Sequence, residues 1–358
     1  MPRSFKMLAL AAMVAAACGA ALAQGSGTLD KINGSGKVVV GVRESSAPMA
    51  YAIGANNRFG GYHVELCERV LKAIAPQARL EYMALTAQNT MPLVENGTVD
   101  IGCGPTTNNL TRQKQVAFAV TTYVSQVRMA VKADSGITSF KQLDGRPVAA
   151  SAGTTAVQLL RKYGKDNGVN LPTTLGKDHF ESFMLLESGR ADAFVLDDNL
   201  LAGVVANSAN PKGYKIVGEV IGAEPIAIQF SKNDPQIKKA VDGAILQMIR
   251  SGEMHKLYNK WFMQPIPPKG VNLNLPMGEM LKKQLAAGKK FPRGYIATGM
   301  EDTHYEDNVY FMDLYESIGL KFKRIIDHGA HNWEYCNRHV KNFLDWLDLK
   351  GTYKRDFE

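Results

Sequence analysis

The order of strands and helices between residues 37 and 104 constrains the fold most strongly. "KVVVGV" (37–42) is a continuous apolar run, typical of a strand that is buried on both faces. The next segment has helical periodicity, with one apolar face formed by Val64, Cys67, Val70, Leu71 and Ile74. "LEYMAL" (80–85) and "VDIGCG" (99–104) predict two more strands, separated by a short helix that ends at Gly97. This βαβαβ order predicts a mostly parallel sheet with helices on its faces.

The same alternation starts again in the following hundred residues. Strands are predicted at 127–133, 147–151 and 192–198, with helices at 154–164 and 182–189 between them. A strand at 225–230 then precedes an amphipathic helical region over 234–262. Two α/β lobes with a cleft between them account for this pattern. We predict lobe 1 at 24–124, lobe 2 at 125–224, and a return to lobe 1 with a C-terminal strap at 225–288.

The first residues predict export. Arg3 and Lys6 precede an apolar run, and Ala21–Ala23 has the A-x-A form of a cleavage site, so we expect a signal peptide over 1–23 and cleavage near Ala23. The alternative is a lipoprotein attached through Cys18. A hydrophobic content of 45% with 21% charged residues is typical of a globular chain. The net charge of +8 is spread out, with no basic stripe among aromatics, so nucleic acid is not an expected partner.

Three cysteines remain after the predicted signal peptide, namely Cys67, Cys103 and Cys336. An oxidising compartment permits one disulfide and leaves one thiol over. Cys67 with Cys103 is the favoured pair because both lie in the first lobe. The alternative is that both stay reduced and pack as small apolar side chains. No Cys/His spacing indicates a metal site, and we expect neither metal nor cofactor.

Polar residues follow several of the predicted strands. In open α/β sheets, ligands bind beyond the carboxyl ends of the strands. The residues at those ends with the most suitable chemistry are Arg43, Thr107, Arg112, Thr155 and Asp197. Two arginines, two hydroxyls and a carboxylate in one cleft would suit a zwitterionic ligand that carries a carboxylate. Each also has a simpler interpretation: a solvated arginine, a threonine N-cap at Thr154 or Thr155, or a turn of two aspartates.

Catalytic motifs are weak in this part of the chain. The nearest match to the G-x-S-x-G nucleophile motif, at 149–153, lacks the first glycine. His63, His179 and His255 have no serine or cysteine partner in a recognisable motif. We therefore predict a binding protein without enzymatic activity. An enzyme with the same two-lobed fold, similar to cyclohexadienyl dehydratase, is a weaker alternative, because it would need a catalytic acid in the cleft and the sequence identifies none.

Several long motifs resemble the periplasmic glutamate/aspartate-binding proteins of ABC importers, over about residues 30–285. They are "GVRESSAPMAY", "CGPTTNNLTRQKQVAF", "SAGTT", "GKDHFESFMLLESGRADAFVLDDNLLAG" and "SGEMHKLYNKWFMQPIPPK". The resemblance implies a type II periplasmic-binding fold, with two α/β lobes, two crossovers and an interlobe ligand cleft. It also implies a monomer that captures an amino acid and delivers it to a membrane permease.

The resemblance assigns a role to six residues. It implies that Thr107, Arg112 and Thr155 hold the α-carboxylate of the ligand and that Asp197 takes its α-ammonium. Arg43 and His179 would face the side-chain carboxylate.

Three positions depart from the family pattern. Ala87 and Thr90 replace a serine and an arginine, and Pro105 replaces a serine. A buried side-chain carboxylate with fewer donors costs several kcal/mol. We therefore expect acidic ligands to bind weakly, or a neutral amino acid to be preferred.

The C-terminal segment, residues 289–358, has a different resemblance. It holds four of the seven histidines and two of the three tryptophans. Its "YIATGMEDTHYEDNVYFMDLYESIG" and "IDHGAHNWEYCNRHVKNFLDWL" are similar to the end of α/β-hydrolase esterases, where Asp302 and His331 would complete a triad. A secreted esterase is therefore the alternative function. No nucleophile is evident, and an acid and a histidine alone cannot carry out acyl transfer.

Overall fold

The computed structural model describes residues 27–54 and 58–278, together with the backbone of two strands at 294–299 and 322–327. The chain divides into two compact units. The described residues of the first unit are 27–54, 58–241 and 260–275, and the second unit contains 242–259 and the residues after 275. The large sheet that runs through both lobes and the cleft between them belong to the first unit.

The first lobe is built around a parallel sheet. Its helices and strands, in chain order, are α1 (Thr28–Ser35), β1 (Lys37–Arg43), β2 (Ser45–Ser46), β3 (Ala50–Ala52), β4 (Phe59–Gly60), α2 (Tyr62–Ile74), β5 (Arg79–Leu85), α3 (Thr90–Glu95), β6 (Ile101–Thr107) and β7 (Val116–Phe118). A 3₁₀ turn, Arg112–Lys114, lies between β6 and β7. The strand β1 pairs in parallel with both β5 and β6. This is the predicted βαβαβ unit.

The second lobe repeats the arrangement. Its elements are β8 (Tyr123–Lys132), β9 (Val148–Ser151), α4 (Thr155–Asn167), β10 (Thr173–Gly176), α5 (His179–Glu187), β11 (Ala193–Asp197), α6 (Asp198–Asn207) and β12 (Tyr214–Ser231). The strand β9 pairs in parallel with β10 and β11. A buried cluster between this sheet and its helices includes Met129, Phe140, Leu160 and Val195.

Two long strands connect the lobes. The sheet order is β10-β9-β11-β8-β12-β6-β1-β5, and β8 and β12 are its antiparallel central pair. Where the chain crosses between lobes, Ser125 lies opposite Glu224 and Val124 lies opposite Pro225. The two predicted crossovers are therefore present, and the two-lobed α/β architecture is confirmed.

Some boundaries differ from the sequence-based prediction. β6 extends to Thr107, past the predicted end at 104, because Thr106 and Thr107 pair with β12. β12 has 18 residues, although only 225–230 was predicted as a strand, since it spans both lobes. The predicted helical region at 234–262 is two helices, α7 (Pro235–Ser251) and α8 (Glu253–Phe262), separated by Gly252 with φ of +79°.

The predicted disulfide is confirmed. Cys67 in α2 is bonded to Cys103 in β6, with their Cα atoms 6.1 Å apart. Both residues are fully buried. The bond fastens α2 to β6 within the first lobe, and the alternative of two reduced cysteines is wrong.

Short strands end the described part of the chain. β13 (Pro265–Ile266) and β14 (Val271–Asn272) form an antiparallel pair, and β15 (Gly294–Gly299) and β16 (Phe322–Asp327) form a parallel one. Among the helices that the structure describes, none has the length and apolar character needed to cross a membrane. The predicted triad residues Asp302 and His331 lie outside the described residues, as do Cys18, Ala23 and Cys336.

Candidate functional site

A cleft lies between the two lobes. All six predicted site residues line it, although they come from five separate segments of the sequence. The full lining is Arg43, Ala87, Thr90, Met91, Pro105, Thr106, Thr107, Arg112, Thr154, Thr155, His179, Leu196, Asp197 and Leu200. The three positions that depart from the family pattern, Ala87, Thr90 and Pro105, are therefore part of the cleft wall.

Arg43 is the last residue of β1 and its side chain is buried. Its Nη1 donates to Thr90 Oγ1 at 3.3 Å. Burial and the nearby positive charge of Arg112 together lower the pKa of Arg43 to about 9, although Asp197 and Asp178 oppose the shift. The guanidinium has five N–H donors, so it can still donate to an acceptor in the cleft.

His179 opens α5 on the second lobe and is 1% exposed. Its Nδ1 lies 2.8 Å from Ser151 Oγ, and its backbone N–H donates to Ser45 Oγ of the first lobe at 3.3 Å. Burial and the charge of Arg43 lower the pKa of His179 to about 3, so the imidazole is neutral. Its Nε2 has no hydrogen-bond partner within the part of the chain that the structure describes. A buried nitrogen of this kind is a position for a ligand contact.

Arg112 begins the 3₁₀ turn after β6 and bridges the lobes. Its Nη1 donates to the Thr107 carbonyl and its Nη2 to the Gly153 carbonyl, each at 3.2 Å. Burial lowers the pKa of Arg112, while Glu224 and Asp197 act in the opposite direction. Its backbone N–H donates to Asn109 Oδ1 at 2.9 Å, which fixes the turn that carries it.

The beginning of α4 lies beside Arg112 in the cleft wall. Thr154 occupies the N-cap position of α4, as the simpler interpretation expected, but its side chain makes no capping hydrogen bond. Its hydroxyl donates instead to the Ser151 carbonyl at 2.7 Å. The first N–H groups of a helix have no partner within the helix, and they favour an anion.

Two threonines from opposite lobes meet a buried carboxylate. Thr107 ends β6 and Thr155 begins α4, and each hydroxyl donates to Glu224 Oε2 at 2.6 Å. Glu224 lies in β12, where the chain crosses between lobes, and is 4% exposed. Sequence reasoning missed Glu224. The only signal was a charged residue directly before the apolar run at 225–230, and such a residue is usually solvated.

Asp197 ends β11 and lies at the same end of the cleft as Glu224. Its Oδ1 accepts a short hydrogen bond from Ser125 Oγ. Burial raises the pKa of Asp197, and the negative charge of Glu224 raises it further. A cationic group of a ligand would relieve this cost.

The charges around the cleft balance. Arg43 and Arg112 are cations, Asp197 and Glu224 supply two carboxylates, and His179 is neutral. A site of this kind can offer an opposite charge to each charged group of a zwitterion.

Comparison with known proteins agrees with this architecture. Residues 38–264 match the bacterial extracellular solute-binding proteins, family 3. The chain belongs to this family.

Curated relatives and a solved structure extend the comparison. An L-glutamate/L-aspartate-binding protein of Pseudomonas aeruginosa is 42% identical over 267 residues, which cover 73% of this chain and 88% of the relative. A glutamate/aspartate import solute-binding protein of Escherichia coli K12 is 41% identical, with 77% and 92% covered. The crystal structure of a cysteine-binding protein from Campylobacter jejuni aligns with a TM-score of 0.61 at 25% identity, covering 71% of this chain and all of that one.

Proposed function

We propose that this protein is the periplasmic receptor of an ABC importer, and that it captures one amino acid in the cleft and delivers it to the membrane permease. The observation that carries the proposal is the cleft itself, where Arg112, Asp197 and Arg43 from both lobes surround one space. The names of the two curated relatives support an amino acid of the glutamate/aspartate class.

The remaining expectations belong to the same proposal. The receptor acts as a monomer, without catalysis and without nucleic acid. It is exported, with cleavage near Ala23 or, alternatively, attachment through Cys18. Its proposed lobes are 24–124, 125–224 and a return to lobe 1 at 225–288, and the pairing of Val124 with Pro225 and of Ser125 with Glu224 supports this division. No described residue favours the alternative esterase function of 289–358.

The ends of the cleft differ in the ligand group that they suit. Arg112 and the N-terminus of α4 would hold the α-carboxylate, because both present N–H donors to an anion. The family resemblance also assigns Thr107 and Thr155 to the α-carboxylate. Asp197 would pair with the α-ammonium, which offsets the cost of its burial.

Arg43 and His179 would contact the ligand side chain. Arg43 supplies charged donors, and the free Nε2 of His179 can either donate or accept, depending on which ring nitrogen carries the proton. A carboxylate would accept from both residues. A carboxamide could accept from Arg43 and donate to His179.

Thr90 lowers the expected preference of the cleft for a ligand with a carboxylate side chain over one with a carboxamide. It gives the cleft a neutral hydroxyl that is already bonded to Arg43, where the family pattern carries a second arginine. With one cation fewer, the extra negative charge of glutamate has only Arg43 as a charged partner. We therefore propose that the receptor discriminates weakly between glutamate and glutamine, or between aspartate and asparagine.

Closure of the lobes would couple binding to transport. Contacts across the cleft, from His179 N–H to Ser45 and from Arg112 to the Gly153 carbonyl, occur only when the lobes are together. A ligand that bridges both walls would shift the population to this closed form, which the permease would recognise.

Calorimetric titration of the purified full-length chain with glutamate, aspartate, glutamine and asparagine tests the proposal. At least one should bind, and the two members of the better pair should differ by less than about tenfold in Kd, or 1.4 kcal/mol. Arg43→Met should weaken the acidic member more than the amide. No binding by any of the four would contradict the function, and a preference of about a hundredfold for glutamate or aspartate would contradict the weak discrimination.

A further inference from the structure

Glu224 lies behind the wall of the cleft and not in it. Thr107 and Thr155 line the cleft, whereas Glu224 does not. Its Oε2 nevertheless accepts from both hydroxyls at 2.6 Å, one from each lobe. The carboxylate is thus placed to act on the ligand through the two threonines.

The hydrogen bonds that Thr107 and Thr155 already make determine whether their hydroxyls can donate to a ligand or only accept from it. A threonine hydroxyl has one proton to donate and two lone pairs that can accept. Both protons are directed to Oε2 of Glu224, so neither hydroxyl can donate to the cleft. The two oxygen atoms lie 3.5 Å apart and can only accept there. Two acceptors suit an ammonium and not a carboxylate.

Asp197 lies close to the same group of atoms. Ser125 pairs with Glu224 across the crossover strands, and the Ser125 hydroxyl donates to Asp197 Oδ1. The negative charge of Glu224 also acts on Asp197. This end of the cleft therefore combines two carboxylates with two hydroxyl oxygens that accept.

We propose that Glu224 is a positioning residue for amino-acid recognition: it takes the protons of Thr107 and Thr155 and so turns both hydroxyl oxygens into acceptors for the α-ammonium of the ligand. The inference rests on the proposed function. It changes the assignment of the threonine hydroxyls, which the family resemblance gives to the α-carboxylate. The α-carboxylate of the ligand is then bound only by Arg112 and the first N–H groups of α4.

The test compares ligands that differ only in the α-amino group. L-glutamate is compared with glutarate, and L-glutamine with glutaramate, by calorimetry on the full-length chain. The measured quantity is the ratio of the Kd of the compound without the amino group to the Kd of the amino acid. In Glu224→Leu this ratio should fall by about tenfold or more, because the freed hydroxyls can donate to other groups. A purely structural role would weaken both ligands by the same factor and leave the ratio unchanged.

Two further variants keep the test decisive. Glu224→Gln retains an acceptor oxygen without the charge, so its ratio should fall by roughly threefold or more. If Glu224→Leu does not fold, as judged by circular dichroism, an unchanged ratio in Glu224→Gln overturns the inference. Glu219→Leu, an exposed position on the same strand, is the matched control and should keep the ratio of the wild type.

The two proposals fail in different ways. If the wild type binds none of glutamate, aspartate, glutamine and asparagine, the proposed function fails and the inference with it. If the wild type binds an amino acid and the ratio is unchanged in Glu224→Leu, only the inference about Glu224 is overturned.

Discussion

Replacing Asp197 by asparagine should stabilise the ligand-free protein and weaken ligand binding. Asparagine keeps the shape of the side chain and an oxygen that accepts from Ser125. It removes a negative charge that is buried close to Glu224. The two expected effects have opposite signs because the charge is unfavourable in the empty cleft and favourable beside an ammonium.

The structure gives the size of both effects. Burial and Glu224 raise the pKa of Asp197 from 3.8 to about 7. Because each pKa unit corresponds to about 1.4 kcal/mol, we expect Asp197→Asn to raise the free energy of unfolding by roughly 1–3 kcal/mol above pH 7. The difference should shrink as the pH falls to 5, because Asp197 is then protonated and as neutral as asparagine. Loss of a buried charge partner should weaken ligand binding by about a hundredfold or more.

Denaturant unfolding at pH 8 and pH 5, together with calorimetric titration of the amino acid that binds, measures these effects. The matched control is Asp198→Asn, since Asp198 is the next residue and does not line the cleft. Its ligand affinity should stay within about threefold of the wild type, or 0.7 kcal/mol. Destabilisation of Asp197→Asn at pH 8, or a loss of affinity below about fivefold, would refute the reasoning.

Three more outcomes are expected. In calorimetry, Gly153→Ala should weaken ligand binding by about tenfold or more, because a Cβ at this position would lie only 2.6 Å from Gln88 Cα of the other lobe. The control is Gly136→Ala, which has a similar φ of +70° but open space around it, and its ligand affinity should be unchanged. Removing the Cys67–Cys103 disulfide, by reductant or by a Cys67→Ser/Cys103→Ser double variant, should cost about 4 kcal/mol in denaturant unfolding for a loop of 36 residues, and a cost below about 1 kcal/mol would contradict this. Burial lowers the pKa of His63 to about 4, below its ordinary value of 6.5. As the pH falls, the unfolded chain therefore takes up a proton before the folded protein does, and the free energy of unfolding decreases between pH 6.5 and 4. In unfolding curves His63→Gln should make this decrease less steep, and an unchanged slope would contradict the assignment.

The sequence predicted the two lobes because their strands are short apolar runs separated by amphipathic helices. Such patterns are local. Within forty residues the chain contains the continuous apolar run of β1 and the one-sided apolar face of α2. The length of β12 could not be predicted in this way. Its first half, Tyr214–Ala223, contains exposed and half-buried residues, and it is a strand because β8 lies beside it.

The candidate site was predicted in part for a similar reason. Arg43, Thr107 and Asp197 each end a predicted or nearly predicted strand, so the topology brings them to one edge. His179 entered only through the family resemblance. Glu224 could not be found from the sequence, because its significance depends on hydroxyls 117 and 69 residues away in the chain.

The pairing of a ligand α-carboxylate with Arg112 is the contact on which the whole assignment depends. Titration of the wild type and of Arg112→Met with the twenty common L-amino acids, by calorimetry on the full-length chain, measures it most directly. The account predicts one-to-one binding of at least one amino acid with a carboxylate or carboxamide side chain, and a loss of about a hundredfold or more in Arg112→Met. Binding that survives in Arg112→Met within about threefold, or no binding of any amino acid by the wild type, would contradict it.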